Sequence, residues 1–164
     1  LDQPVALGPV TQRMLGLPIA VADEAELGRQ LTDQEWDQLV VLARDLFSAR
    51  GRQSQDGSFR QWTNGNLQVL LEPSASGHRL RLRTMNGYAR SLILGGTGAL
   101  GIAMVVALVP LLAGSQEMIA NLDGMAILGL AGLAMIGRGV FGLSGWAKRR
   151  KEQFRQLIER ARGS

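Results

Sequence analysis

Two long apolar stretches, Ser91 to Gly114 and Gly124 to Gly145, constrain this chain more than any other feature, because the first carries no charge and the second only Arg138. A helix rises about 1.5 Å per residue and the hydrocarbon layer of a bilayer is roughly 30 Å thick, so about 20 apolar residues suffice to cross it. Both stretches exceed that length and predict a transmembrane hairpin. With about fifty of the 164 residues in the spans, room remains for one small extramembrane unit ahead of them. The chain contains no cysteine, which removes disulfides, thiolate metal sites and thiol nucleophiles.

Charge placement predicts the orientation. Arg79, Arg81, Arg83 and Arg90 precede the first span and Lys148, Arg149, Arg150 and Lys151 follow the second, whereas the connection at 115–123 holds Glu117 and Asp123 and no base. Basic residues stay on the cytoplasmic side, so both termini are expected there and the connection on the other side. The opening Leu1, Asp2, Gln3 and Pro4 do not form a charged and apolar leader.

Residues 1–31 read as an extended strap, since Pro4, Pro9 and Pro18 interrupt any helix and short apolar patches such as Met14, Leu15, Leu17 and Ile19 lie between them. A compact cytoplasmic unit is expected over 32–88. Thr32 and Glu35 have capping-box spacing, and Trp36, Leu39, Val40, Ala43 and Phe47 recur as one helical stripe up to Arg50, with Gly51 as the stop. Alternation then predicts strands at 58–63 and 66–72 around an Asn64-Gly65 turn, and a third at 78–84 after the turn Pro73–Gly77. The apolar face of that meander carries Leu67, Val69, Leu71, Leu80 and Leu82, and the amphipathic helix is its natural cover. The expected fold class is thus α+β: a small helix on a three-stranded antiparallel meander, then the hairpin (91–114 and 124–146), then a basic amphipathic helix over 147–164.

The small residues of the spans predict where helices meet, because lipid removes the hydrophobic drive and close backbone approach becomes the main source of contact. Gly95, Ala99, Ala103 and Ala107 form a four-residue ridge on the first span. Gly124, Ala131 and Gly145 share a heptad face with Arg138 on the second, and Gly132, Gly139 and Gly142 add further small positions. That is more small surface than one hairpin needs, which points to another helix, lipid or a neighbouring subunit's pigment. Arg138, about seven residues before Trp146, is expected roughly 10 Å inside the membrane, where it snorkels to lipid phosphate or meets a polar group of another subunit. Trp146 reads as an interface anchor, and Phe154, Leu157, Ile158 and Ala161 continue as an apolar stripe that lies on an anionic surface, folds back on the extramembrane unit or docks a partner. Arg79, Arg81 and Arg83 line one face of the third strand and are candidates for contact with anionic lipid or an extrinsic partner, as are Trp146, Lys148, Arg149, Arg150 and Lys151.

Nothing in the sequence resembles an enzyme's machinery. The single histidine, His78, stands in a turn without a serine, carboxylate or metal-ligand pattern around it, and the glycines of the first span do not follow a strand as a phosphate loop would. No cofactor of its own is expected, and nucleic acid is not an expected partner, because the basic residues border the spans and no recognition fold accompanies them.

The run Thr32–Thr84, with Phe59, Trp62, Asn64, Gly65, Asn66 and Leu67, resembles small bacterial cytoplasmic units placed ahead of a membrane hairpin. The architecture is also similar to accessory polypeptides that brace bacterial membrane assemblies, among them photosynthetic reaction centres with their antenna rings. That resemblance implies a noncatalytic scaffold subunit of the bacterial inner membrane whose partners are integral membrane subunits and anionic lipid. It departs from antenna polypeptides in lacking a histidine within either span, so pigment ligation by that route is not implied. The alternative expectation is a membrane-tethered regulatory module whose basic tail senses lipid.

Overall fold

The computed structural model describes residues 6–14, 16–113 and 122–163. These form two compact units, one built from the chain up to Asn86 together with the segment from Ser144 onward, the other Gly87–Leu143. The elements in order are β1 (Ala6–Met14), β2 (Leu17–Glu26), α1 (Asp33–Phe47), β3 (Arg52–Asp56), β4 (Phe59–Asn64), β5 (Leu67–Ser74), β6 (Gly77–Met85), α2 (Gly87–Ala113), α3 (Leu122–Val140) and α4 (Leu143–Gly163). The α+β class holds, but the sheet has six antiparallel strands, in the order β1-β2-β6-β5-β4-β3, rather than three.

The three expected strands are β4, β5 and β6. Their inner face carries Trp62, Val69, Leu71, Leu80 and Leu82, all buried. The β4–β5 turn sits one residue later than the Asn64-Gly65 reading: Asn64 pairs with Leu67, Gly65 and Asn66 form the loop, and only Gly65 has positive φ. That is the pattern of a II′ turn, which needs glycine at its first central position alone. β3 pairs with β4 through a turn at Gly57, φ 58°, and is wholly exposed.

The supposed strap supplies β1 and β2. Their ladder shifts register between Leu7 and Val10 and again between Gln12 and Arg13, irregularities that let an edge strand carry Pro9, which has no N–H to offer. β2 then pairs with β6 without interruption from Ala20↔Met85 to Glu26↔Arg79. The residues Leu1, Pro4, Leu15 and Gly114, and Glu117 with most of the 115–123 connection, lie outside the described residues.

α1 begins as expected. Thr32 accepts from the Glu35 amide and the Glu35 carboxylate accepts from the Thr32 amide. The helix stops at Phe47 rather than Arg50, because Ser48 takes up the left-handed conformation, φ 49°, and its amide and that of Ala49 return to the last carbonyls. Gly51 serves another purpose: a β-carbon there would overlap the Trp62 indole. One face of the sheet is covered by α1 and by α4, whose Phe154, Leu157, Ile158 and Ala161 join Trp36, Leu39, Val40 and Ala43 in a single core. Among the described residues the opposite face carries no helix of this unit.

In the second unit, α2 and α3 are long and apolar enough to cross a bilayer. Only 17% of each apolar window is buried, and Ile102, Met104, Val105, Val109, Leu112, Ile127 and Leu130 are each more than half exposed. Large side chains turned outward all along both helices suit a lipid surround and do not suit a water-facing core. α3 ends at Val140, with a turn at Phe141 and Gly142 (φ 83°), so Gly145 and Trp146, expected in the second span, belong to α4.

Candidate functional site

The sheet register explains the arginine strand. Arg79, Arg81 and Arg83 alternate with buried Leu80, Leu82 and Thr84, so all three point to the uncovered face. On β2 the cross-strand neighbours of Arg79 and Arg81 are Glu26 and Glu24. Arg79 pairs with Glu26 at 2.5 Å, and Arg81 lies 3.4 Å from Glu24 and 3.1 Å from Glu72 of β5. Hydrogen bonds from Ser74 and the Arg79 guanidinium hold the Glu26 carboxyl below the usual carboxylate range. Two of the three candidate contact residues are therefore engaged inside their own sheet. Arg83 is opposite Ala22 and Gln68 and makes no ion pair among the described residues. A hollow of about 450 Å³ opens beside it, lined by Val10, Ala22, Leu70 and Arg81 among others.

The acidic run Asp23, Glu24 and Glu26 and the arginine run stand some 55 residues apart and read as two separate patches. Only the pairing of β2 with β6 joins them. Asp23 falls on the opposite face from Glu24, toward the helices, in a groove shared with Lys148, Lys151 and Arg162 of α4. Burial pushes its carboxyl up, against the pull of the Arg162 and Lys151 charges.

The basic tail is divided in the same way. Lys148 and Arg149 are exposed, whereas Arg150 lies over the Phe47 ring at 5.0 Å and donates to Gln153, and Lys151 is half-buried. Phe154 and Leu157 are fully buried and Ile158 nearly so. Of the three destinations open to the tail, the apolar stripe takes the fold back onto the sheet. Trp146 is partly buried against the same core.

Within the hairpin the seam is made by backbone contact. A β-carbon on Gly96 would lie 2.5 Å from the Gly132 carbonyl, and one on Gly132 would lie 2.8 Å from the Gly96 carbonyl. Gly139 closes on Ala89, Leu92 and Ile93 at 3.1–3.2 Å. Ala103 is buried, Ala99 and Ala107 are half-buried, and a β-carbon on Gly95 would meet only the flexible end of Met135. The expected heptad face of Gly124, Ala131 and Arg138 is exposed instead. Because α3 ends at Val140, Arg138 occupies its last turn, where a cation suits the helix dipole, and its Nε donates to the Tyr88 hydroxyl at the start of α2 (3.2 Å). This partner belongs to the chain itself and was not among the sequence expectations.

His78 has a structural task. Its Nδ1 accepts from the Leu31 amide at 2.9 Å, its own amide donates to the Arg29 carbonyl, and its carbonyl accepts from the Leu27 amide. Arg29 in turn bonds Glu35 at 2.7 Å and the Ala161 carbonyl at 2.9 Å, tying the ends of α1 and α4 to the sheet. Burial, aided by the Arg60 charge, holds the imidazole below its ordinary 6.5. The unfolded chain then binds the proton first, so stability falls as pH drops through about 6.5 toward the folded value. A fall in the denaturant midpoint is therefore expected as pH is lowered from neutrality through 6.5. His78→Asn, whose carbonyl can accept from Leu31, is expected to flatten that dependence.

Among the described residues no three carboxylates or histidines come together as a metal site. No protein-family model, curated protein or solved structure matches this chain.

Proposed function

We propose that this chain is a noncatalytic accessory subunit that anchors in a bacterial inner membrane through α2 and α3, with both termini cytoplasmic, and braces a larger assembly of integral membrane proteins. A photosynthetic reaction centre with its light-harvesting antenna is the most specific host. The observation that carries the reading is the small surface left over once the hairpin is closed. Gly96, Gly132 and Gly139 form the α2–α3 seam, while at Gly98, Gly101, Gly129 and Gly137 a β-carbon would meet, among the described residues, nothing within 4 Å beyond the glycine's own stretch of helix. In lipid such bared backbone favours a further helix, since small residues allow the close van der Waals contact on which association depends. The burial of Phe154, Leu157 and Ile158 supports a brace over a module regulated by release of its tail. Orientation follows from the arginines before α2 and the Lys/Arg cluster after α3.

Purification from native membranes in mild detergent is expected to return the protein with integral membrane partners in fixed ratio, with pigment absorption bands if the host is a photosystem. Recovery as a lone, monodisperse protein would refute the brace.

A further inference from the structure

We infer that Arg83 and the hollow beside it form a binding site for the phosphate headgroup of an anionic phospholipid. Arg79 and Arg81 are neutralised by Glu26, Glu24 and Glu72, which leaves Arg83 as the cation of β6 without a carboxylate among the described residues. Its cross-strand neighbours, Ala22 and Gln68, are uncharged, and Arg83 itself is exposed. A guanidinium can hold a phosphate through two parallel N–H donors. Next to it, Val10, which is 61% exposed, and Leu70 give the hollow an apolar wall for the glycerol end of the lipid, and Gln68 offers a further polar group; of the two acidic residues that also line it, Glu24 is held in its ion pair with Arg81 and Asp23 turns its carboxylate to the other face of the sheet.

A lipid is favoured over an acidic peptide by the length of chain that follows. Arg83 stands four residues before Gly87, where α2 begins, and an extended chain covers at most about 3.5 Å per residue, so Arg83 lies within about 14 Å of the first residue of the span. α2 has 27 residues, about 40 Å of helix against a hydrocarbon layer of roughly 30 Å, so its first turn reaches the headgroup zone. Anionic lipid is concentrated where Arg83 is tethered, and each basic residue near such a surface gains affinity. The inference rests on the hairpin crossing a bilayer, but not on the bracing role.

The test uses the full chain in nanodiscs of equal parts phosphatidylglycerol and phosphatidylcholine, with lipids retained after release counted by native mass spectrometry. The wild-type chain is expected to retain phosphatidylglycerol preferentially. Arg83→Gln is expected to weaken that preference about fivefold, Arg83→Lys to restore part of it, and Arg52→Gln, on the exposed edge strand β3 at the far side of the sheet, to leave it unchanged. An unaltered preference in Arg83→Gln, or equal losses in Arg83→Gln and Arg52→Gln, would overturn the site. So would displacement of the lipid by millimolar inorganic phosphate, which marks a site for the free anion, or Arg83-dependent binding of an acidic peptide with no lipid preference. Failure of the chain to resist carbonate extraction from membranes would instead strike at the hairpin reading beneath it.

Discussion

Phe154→Ala is expected to cost the sheet unit about 3–5 kcal/mol, the range for removing a large aromatic side chain from a closed core. Phe154 is fully buried and meets the Phe47 ring edge-on, with centroids 6.0 Å apart, while Phe47 stacks on Trp62 at 6.1 Å. The ring therefore joins α4 to α1 and, through Trp62, to the sheet. Small domains have only about 5–15 kcal/mol of net stability, so the variant is left marginal. All three tryptophans of the chain, Trp36, Trp62 and Trp146, belong to this unit, which makes their fluorescence a specific probe. A fall in the denaturant midpoint is expected for Phe154→Ala and none for Phe141→Ala, whose ring is 91% exposed. Equal midpoints for Phe154→Ala and the wild type would mean that α4 does not close the core.

That dependence of the N-terminal fold on a segment more than a hundred residues downstream could not be read from the sequence. The stripe Phe154, Leu157, Ile158 and Ala161 was legible as apolar and helical, because period 3.6 is a local property. Its destination is not local. The same distinction separates the strands that were found from those that were missed. β4, β5 and β6 alternate cleanly, whereas β2 places Asp23 on the inner face between Val21 and Ala25 and so breaks its own pattern. β1 hides behind Pro9 and two register shifts, and β3, Arg-Gln-Ser-Gln-Asp, has no apolar residue with which to alternate. A signal for β3 did exist: Asp56-Gly57 is a strong hairpin dipeptide, and Asp56 pairs with Phe59 across it.

The candidate contact residues divide along the same line. Arginines on one face of β6 followed from alternation, but which of them are neutralised depends on β2 lying alongside, in a register that brings Glu26 to Arg79 and Glu24 to Arg81. Arg138 was legible as a costly charge in an apolar helix. The run to Trp146 is not one continuous helix, because Phe141 and Gly142 interrupt it, and the partner of Arg138 is not legible because Tyr88 and Arg138 meet only when the hairpin closes.

Gly96→Leu is expected to open the hairpin, whereas Gly98→Leu, two residues on, is expected to leave it closed. At position 96 the first added carbon would lie 2.5 Å from the Gly132 carbonyl oxygen and 2.7 Å from Ile136. A backbone oxygen cannot rotate aside, so the helices must separate, and overpacking of this kind costs about 1–3 kcal/mol. At position 98 a β-carbon meets, among the described residues, nothing within 4 Å beyond its own stretch of helix. Because the chain has no cysteine of its own, a reporter pair can be introduced at Tyr88 and Arg138, exposed residues whose side chains meet across the two helices. Cross-linking of this pair by a short bifunctional thiol reagent is expected to fall severalfold with Gly96→Leu and to be unchanged with Gly98→Leu. The bracing role assigns the opposite order to co-purification with membrane partners in the Gly98 variant: cross-linking intact, partners lost. Should Gly98→Leu keep both, the bared glycines face lipid alone, and the reason for expecting a further helix against this hairpin disappears.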